Sequence, residues 1–413
     1  MGILFLKNIP ARILFFIFIA NFFYDDPSLY FYKRIVYIIF IGLATINLWQ
    51  FYNETLKSEQ YIANPSYYRY LLLFLFLIVV SMLIQDLLNP SLSFVTLIQN
   101  PYAVLCIVPL FLFFVGSNCE NESAFYQMLL AVAAVFIALF TLPLAGKLKY
   151  YQGYIASIVV LPIFIFAIHL KKHIAFAVFL IAVSFYFSYI SEYRIIAFRV
   201  LVFFALFVSL NLVRRFGPLK FTTIAVFGFT LFQFIYNLED VLFLFKNIIG
   251  VRGFDDDDTR AFLWEEFFAD LTPIQVVFGK GFLGTYFSPY FMDLLVRLGD
   301  FSDHYDRFLI EVGFLHLILK GGIILYLIYV WSPLYAFVRG IFGRHNDWFA
   351  FNMSIYLLTE LFLMFIENIP YYSFQFSLLF FFSGLVYRRI VLYGDEAVME
   401  QNIIQANDRA VIA

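Results

Sequence analysis

The chain has 413 residues, 63% of them hydrophobic and 14% charged, with a net charge of −2. Soluble domains carry about 25% charged residues, so a chain with 58 phenylalanines has too much apolar surface for a water-soluble fold, and its solvent is lipid. The near-neutral balance carries no signature of a nucleic-acid partner, and two cysteines, Cys106 and Cys119, supply neither a disulfide framework nor a metal-ligand spacing.

In chain order, Lys7 and Arg12 precede the apolar run Ile13–Phe23. No small-residue cleavage pattern follows, so this stretch reads as a first span rather than a removed signal. Apolar runs long enough to cross about 30 Å of hydrocarbon are predicted near 10–24, 35–51, 70–88, 101–116, 124–145, 154–170, 173–190, 195–212 and 218–238. Three more lie near 313–338, 348–366 and 374–393; the first of these, the tenth, could begin several residues later. The predicted fold class is therefore all-α: a polytopic transmembrane bundle of about 12 spans. No internal repeat is visible.

Lysine and arginine in the flanks set the orientation. With the N-terminus inside and strict alternation, the inside segments hold Lys7, Arg12, Lys57, Arg69, Lys171, Lys172, Arg214, Arg215, Lys220, Arg339, Arg344, Arg388, Arg389 and Arg409. The short outside loops hold Lys33, Arg34, Lys147, Lys149 and Arg194. Both termini are thus expected in the cytoplasm. The organisation is spans 1–9 over 1–238, one large outer loop over 239–307, spans 10–12 over 308–393, and a cytoplasmic tail over 394–413. The loop carries 13 of the 29 acidic residues and is the extramembrane region large enough to form a site by itself. Its run Asp255–Asp258 suggests Mg²⁺ or Ca²⁺ ligands, but like charges in a row usually form a solvated loop, and no metal is assigned.

Within this loop, residues 279–284 read GKGFLG, matching the G-x-G-x-x-G of dinucleotide sites. Such a site needs a βαβ unit. Here TYFSPYF follows, with Pro289 where the helix should run, so a glycine turn in a loop is the expectation.

The wider segment TRAFLWEEFFADLTPIQVVFGKGFLGTYF places an arginine, Trp264, a helix-like stretch and a Gly-Lys-Gly turn in order. With SEYR at 191–194 and GFLHLILKGGIILYLIYV at 313–330, this order resembles the O-antigen polymerase/O-antigen ligase family of bacterial membrane proteins. The resemblance covers the architecture of the whole chain, with its specific residues in about 190–330. It departs at one point: where the family commonly has His-Asn before the last segment, this chain has Glu311-Val312.

The resemblance implies a glycosyltransferase at the outer face of the inner (cytoplasmic) membrane, taking a glycan from a polyprenyl-diphosphate carrier to an acceptor hydroxyl without a cofactor. Its expected partners are that lipid-linked oligosaccharide and membrane lipid, with a flippase and a chain-length regulator beside it. A polymerase of O-antigen, capsule or exopolysaccharide is favoured. A ligase is the alternative, weakened by the missing His-Asn, and a transporter without catalysis is the second alternative.

That chemistry needs fixed positive charge for the leaving diphosphate and a base for the hydroxyl. Arginine suits the first, because its planar fork binds phosphate oxygens bidentately and stays protonated. Arg194 and Arg260 are the principal candidates, with Arg199 and Lys280 beside them. The competing readings are a snorkelling Arg194, a solvated Arg260 and Lys280, and an Arg199 in a structural ion pair. Glu311, at the mouth of the tenth span, or His304 is the candidate base; a salt bridge of Glu311 with Arg307 competes. Glu360 lies inside an apolar run and is expected to pair with Arg199. His316 is expected to pack. Tyr286, Phe287 and Tyr290 could stack on sugar rings or belong to an interfacial belt.

Overall fold

In hydrocarbon, backbone amides and carbonyls must be satisfied within their own segment, so long runs of Leu, Ile, Phe and Val fold as helices. The computed structural model describes residues 7–24, 32–57, 62, 65–88, 106, 108–141, 159–191, 194–215, 259–297, 306–308, 310, 312–343, 347–367 and 373–392. Within them the chain is mostly helical. The first eight helices are α1 (Ile9–Tyr24), α2 (Tyr32–Thr55), α3 (Ser66–Leu87), α4 (Val108–Ser117), α5 (Glu122–Thr141), α6 (Val159–Leu170), α7 (Ile174–Ser191) and α8 (Arg194–Arg215). A second group follows: α9 (Thr259–Asp270), α10 (Pro273–Phe278), β1 (Tyr286–Phe287), α11 (Pro289–Arg297) and β2 (Asp306–Arg307). The chain closes with α12 (Gly313–Phe342), α13 (Trp348–Leu363) and α14 (Phe374–Leu392).

Eleven of the predicted spans coincide with helices; the ninth, near 218–238, lies outside the described residues, as do the aspartate run and the tail. Five helices among the described residues are long and apolar enough to cross a membrane: Ile35–Thr55, Tyr67–Leu87, Ile195–Leu212, Gly313–Phe342 and Phe374–Leu392. The other six predicted spans among the described residues present shorter apolar helices, such as Val108–Ser117. This is the property expected of a membrane protein. Its outward surface agrees, since Ile46, Trp49, Leu73 and Phe76 are all more than half exposed. In water such a continuous apolar surface would be a liability; against lipid it is ordinary.

The core joins α1 to α8 and α12 to α14, and phenylalanine contacts run through it. Phe125 packs on Phe381 and Phe166 on Phe349, with ring centroids 4.5 and 5.0 Å apart. Helix α14 crosses α4 closely because both carry glycine there: a Cβ on Gly116 or on Gly384 would overlap the backbone of the other helix.

Helix α12 is not a uniform span. Gly321 and Gly322 have non-helical torsions, and Gly322 has φ of 71°. The rings of Phe314 and Tyr326 nevertheless lie 6.1 Å apart, whereas a straight helix separates positions twelve apart by about 18 Å along its axis. The two halves therefore bend toward one another. Every residue of Gly313–Gly322 is buried, while Ile323, Leu327, Trp331, Leu334 and Val338 form an exposed stripe on the second half. The second half alone, Ile323–Phe342, has the roughly 20 residues that hydrocarbon requires.

The second group of elements packs on that first half as a small core of its own. Leu263, Phe267 and Tyr286 meet Ile310, Val312, Leu315 and Leu319. Local signals set its elements. Thr272 and Gln275 form a capping box around α10, with Pro273 at the first helical position. Pro289 begins α11 rather than blocking a helix; it sits in the first turn, where a missing amide costs nothing. Glu266 reaches across to anchor this start, accepting from the Ser288 hydroxyl at 2.6 Å and the Tyr290 amide at 2.7 Å. Strands β1 and β2 pair antiparallel, Tyr286 with Arg307 and Phe287 with Asp306.

Candidate functional site

Two polar clusters lie at the end of the bundle where α9 to α11 pack. The first surrounds Arg199. An arginine in the run IIAFRVLVFF is costly in lipid unless it faces protein and is paired, and here it is 1% exposed. Its Nε lies 3.2 Å from Glu360 Oε1, and its Nη2 lies 2.5 Å from Glu367 Oε2. Gln375 Nε2 donates to Glu360 Oε2 at 2.7 Å. The expected Arg199–Glu360 pair is therefore present, and Glu367 makes it a triad. Glu360 is fully buried and Glu367 a quarter exposed, so the cluster runs from the protein interior toward the surface.

Glu367 also ties the triad to the start of α12. Its carbonyl accepts from Gly313 N at 3.0 Å, and Met364 O accepts from Phe314 N at 3.2 Å. The Phe314 ring lies 4.5 Å from Trp264 of α9 and 5.0 Å from Phe365. Helices α8, α13, α12 and α9 meet here.

The second cluster is built by GKGFLG. The residues form a turn, as expected, and the turn docks into the break of α12. Lys280 N donates to Leu319 O at 2.7 Å and Gly281 N to Lys320 O at 3.0 Å, which satisfies carbonyls that the broken helix leaves without intrahelical partners. The glycines follow from this contact. Gly281 has φ of 88°, and a Cβ there would lie 2.5 Å from Asp86 Oδ1; a Cβ on Gly322 would overlap the Val277 carbonyl. From α3, Asp86 accepts from Phe282 N at 2.9 Å and Leu283 N at 3.2 Å. Lys320, fully buried, donates to Gly284 O at 2.7 Å and lies 3.4 Å above the Phe308 ring. The motif is a structural plug and lacks the βαβ setting of a dinucleotide site.

Of the candidates read from sequence, Arg199 and Lys280 are placed with their side chains. Lys280 Nζ pairs with Asp270 Oδ2 at 2.5 Å and is mostly buried, rather than solvated. The guanidinium pairs with glutamates and the ammonium with an aspartate, so the two do not share a carboxylate. Arg194 opens α8 and Arg260 lies in the first turn of α9; only their backbone is described. His304 and Glu311 lie outside the described residues. His316 is buried, as expected. Tyr286 is buried against Phe267 and cannot stack on a sugar, while Phe287 is exposed.

Glu367, Asp86 and Lys320 were not among the candidates. Asp86 and Lys320 carried a readable signal, an ionisable group inside or at the end of an apolar run; Glu367, just past one, carried a weaker one. Among the described residues no group of three His, Cys, Asp or Glu side chains could hold a metal ion. No family model, curated protein or solved structure matches the chain.

Proposed function

We propose that the chain is a polymerase that joins polyprenyl-diphosphate-linked oligosaccharide units into a surface polysaccharide at the outer face of the bacterial inner membrane. In this reading it has about twelve spans, both termini in the cytoplasm, and residues 239–307 in the periplasm. One observation supports it above the others. Two of the stretches that carry the family resemblance, and the helix that follows the third, lie far apart in sequence and meet at one end of the bundle. Arg199, five residues past Arg194, reaches Glu367; Glu367 holds Gly313; Phe314 packs on Trp264, one turn from Arg260.

In the proposed reaction Arg194 and Arg260 hold the donor diphosphate. Glu311 or His304 takes the proton of the acceptor hydroxyl. That oxygen attacks the anomeric carbon in line, the bond to the diphosphate breaks, and the anomeric centre inverts. Arg199, neutralised by two glutamates, acts by ordering the outer end of α8. The Glu311-Val312 pair in place of His-Asn favours a polymerase over a ligase.

A specific observation keeps the transporter as a second reading: α12 is interrupted by Gly321–Gly322 beside buried Lys320 and His316, and broken helices are common in transporters.

Deleting the gene in its host and running the surface glycan on a gel separates these readings. Loss of the ladder with single-unit capping supports a polymerase. Full-length polymer left on the lipid carrier indicates a ligase. Lipid-linked units trapped on the cytoplasmic side indicate transport. An unchanged glycan overturns the proposal for that polymer.

A further inference from the structure

Helix α10 presents an apolar face that no described residue covers. Ile274 is 73% exposed and Phe278 41%; four residues apart, they share one side of the helix. Charge distribution alone would leave this face in water, as part of an extramembrane loop. Its neighbours indicate otherwise.

The backbone at Val277 and Phe278 lies directly against Gly322. The next residue, Ile323, starts the exposed apolar stripe of α12 that continues to Leu327. On the other side, Gly281 lies against Met82 O and Asp86, and Leu87 and Leu88 follow at the end of α3, exposed at 63% and 77%. The α10 face is thus continuous on both flanks with the apolar surfaces of two helices of membrane-crossing length. Its polar groups point elsewhere: Lys280 is paired with Asp270, and Gln275 is folded onto the Thr272 cap. An amphipathic element with its charges closed on themselves and its apolar side level with span ends suits the membrane–water interface.

We infer that α10 is a membrane-seated element: Ile274 and Phe278 lie in bilayer lipid at the shared end of α3 and the second half of α12, and the glycine plug in the α12 break holds them there. The partner is phospholipid. The inference does not depend on the reaction proposed above.

Full-length protein with Cys106→Ala and Cys119→Ala is reconstituted in phosphatidylethanolamine/phosphatidylglycerol vesicles. Single nitroxides are placed at Ile274→Cys, Phe278→Cys, Leu327→Cys and Asp293→Cys. Oxygen, which partitions into lipid, should relax the labels at 274, 278 and 327 more than a water-soluble nickel chelate does. The exposed Asp293 position on α11 should show the reverse. Nickel-dominated relaxation at 274 and 278, with Leu327 lipid-like, overturns the inference. So does protection from both reagents with dipolar broadening, which means a second copy covers the face. Should a cysteine variant misfold, a photoreactive benzophenone at 278 gives an independent reading: crosslinks to phospholipid support the inference, and crosslinks to protein alone overturn it.

Discussion

Arg199 and Lys320 are both fully buried basic side chains, and the molecule accommodates them by opposite means. Around Arg199 of α8, Glu360 of α13 and Glu367 just past the end of that helix supply two carboxylates, and Gln375 of α14 donates to one of them. Around Lys320 a hydrogen bond goes to a backbone carbonyl and the amine lies against a ring; burial disfavours its charged form and Asp86 of α3 favours it, while Asp86 accepts from the amides of the glycine turn. The first cluster is held by charge, and the second by backbone geometry that only glycine permits. Removing one member should therefore have different consequences in the two places.

The largest effect is expected at the ion triad. Glu360→Ala removes one of the two carboxylates paired with buried Arg199, and breaking a buried pair this way costs about 3–5 kcal/mol. Cys106 and Cys119 are buried free thiols, so a thiol-reactive fluorophore in detergent reads the unfolding transition directly. Combining Arg199→Glu with Glu360→Arg should recover part of the loss; a double variant no better than the sum of the singles would mean that the pair is not coupled.

At the plug, Gly322→Val forces a β-branched residue into a left-handed conformation and into the Val277 carbonyl. Strain and overpacking together should cost about 2–4 kcal/mol. Protease sensitivity between α10 and α12 should rise along with the fall in melting temperature, because the plug itself is expelled.

Lys320→Met sharpens the contrast. It leaves the Gly284 carbonyl without its Lys320 donor, a loss of about 1–3 kcal/mol, but also removes the desolvation cost of a buried amine. The net destabilisation should be well below that of Glu360→Ala. Equal losses would break the distinction between the two clusters. The smallest effect is expected at the α10 cap, where Thr272→Ala removes one side of a capping box and costs about 1 kcal/mol. Circular dichroism should show no change in helix content for that variant.

Function offers a separate axis. Arg194→Ala and Arg260→Ala should shorten the glycan ladder while the melting temperature stays near that of the parent, whereas Glu360→Ala should lower both. A ladder of normal length with Arg260→Ala would remove that residue from the diphosphate site.

Much of this was legible along the chain. The helix positions follow from apolar runs, because hydrocarbon leaves the backbone few alternatives. The pairing of Glu360 with Arg199 could be anticipated because a buried charge in a span demands its opposite. The break in α12 was harder to read. The pair Gly321-Gly322 sits inside an apolar stretch that hydropathy alone counts as one span, and nothing local says that another segment supplies the missing hydrogen bonds. Glu367 went unnoticed because it lies just past an apolar run, where an acid is unremarkable until Arg199 is seen beside it. Pro289 was misread for the opposite reason, since its role depends on being first in its helix.

By itself, then, the sequence determined that this is a helical chain suited to lipid, with ionisable groups that must find partners, because the free energy of transfer from water is a sum over residues and needs no contacts. The tertiary structure alone decided which carboxylates neutralise Arg199, that GKGFLG plugs a broken helix instead of cradling a nucleotide, and that the backbone of α10 lies against Gly322. Each of these depends on groups tens to hundreds of residues apart coming within hydrogen-bond reach, and no local pattern encodes that distance.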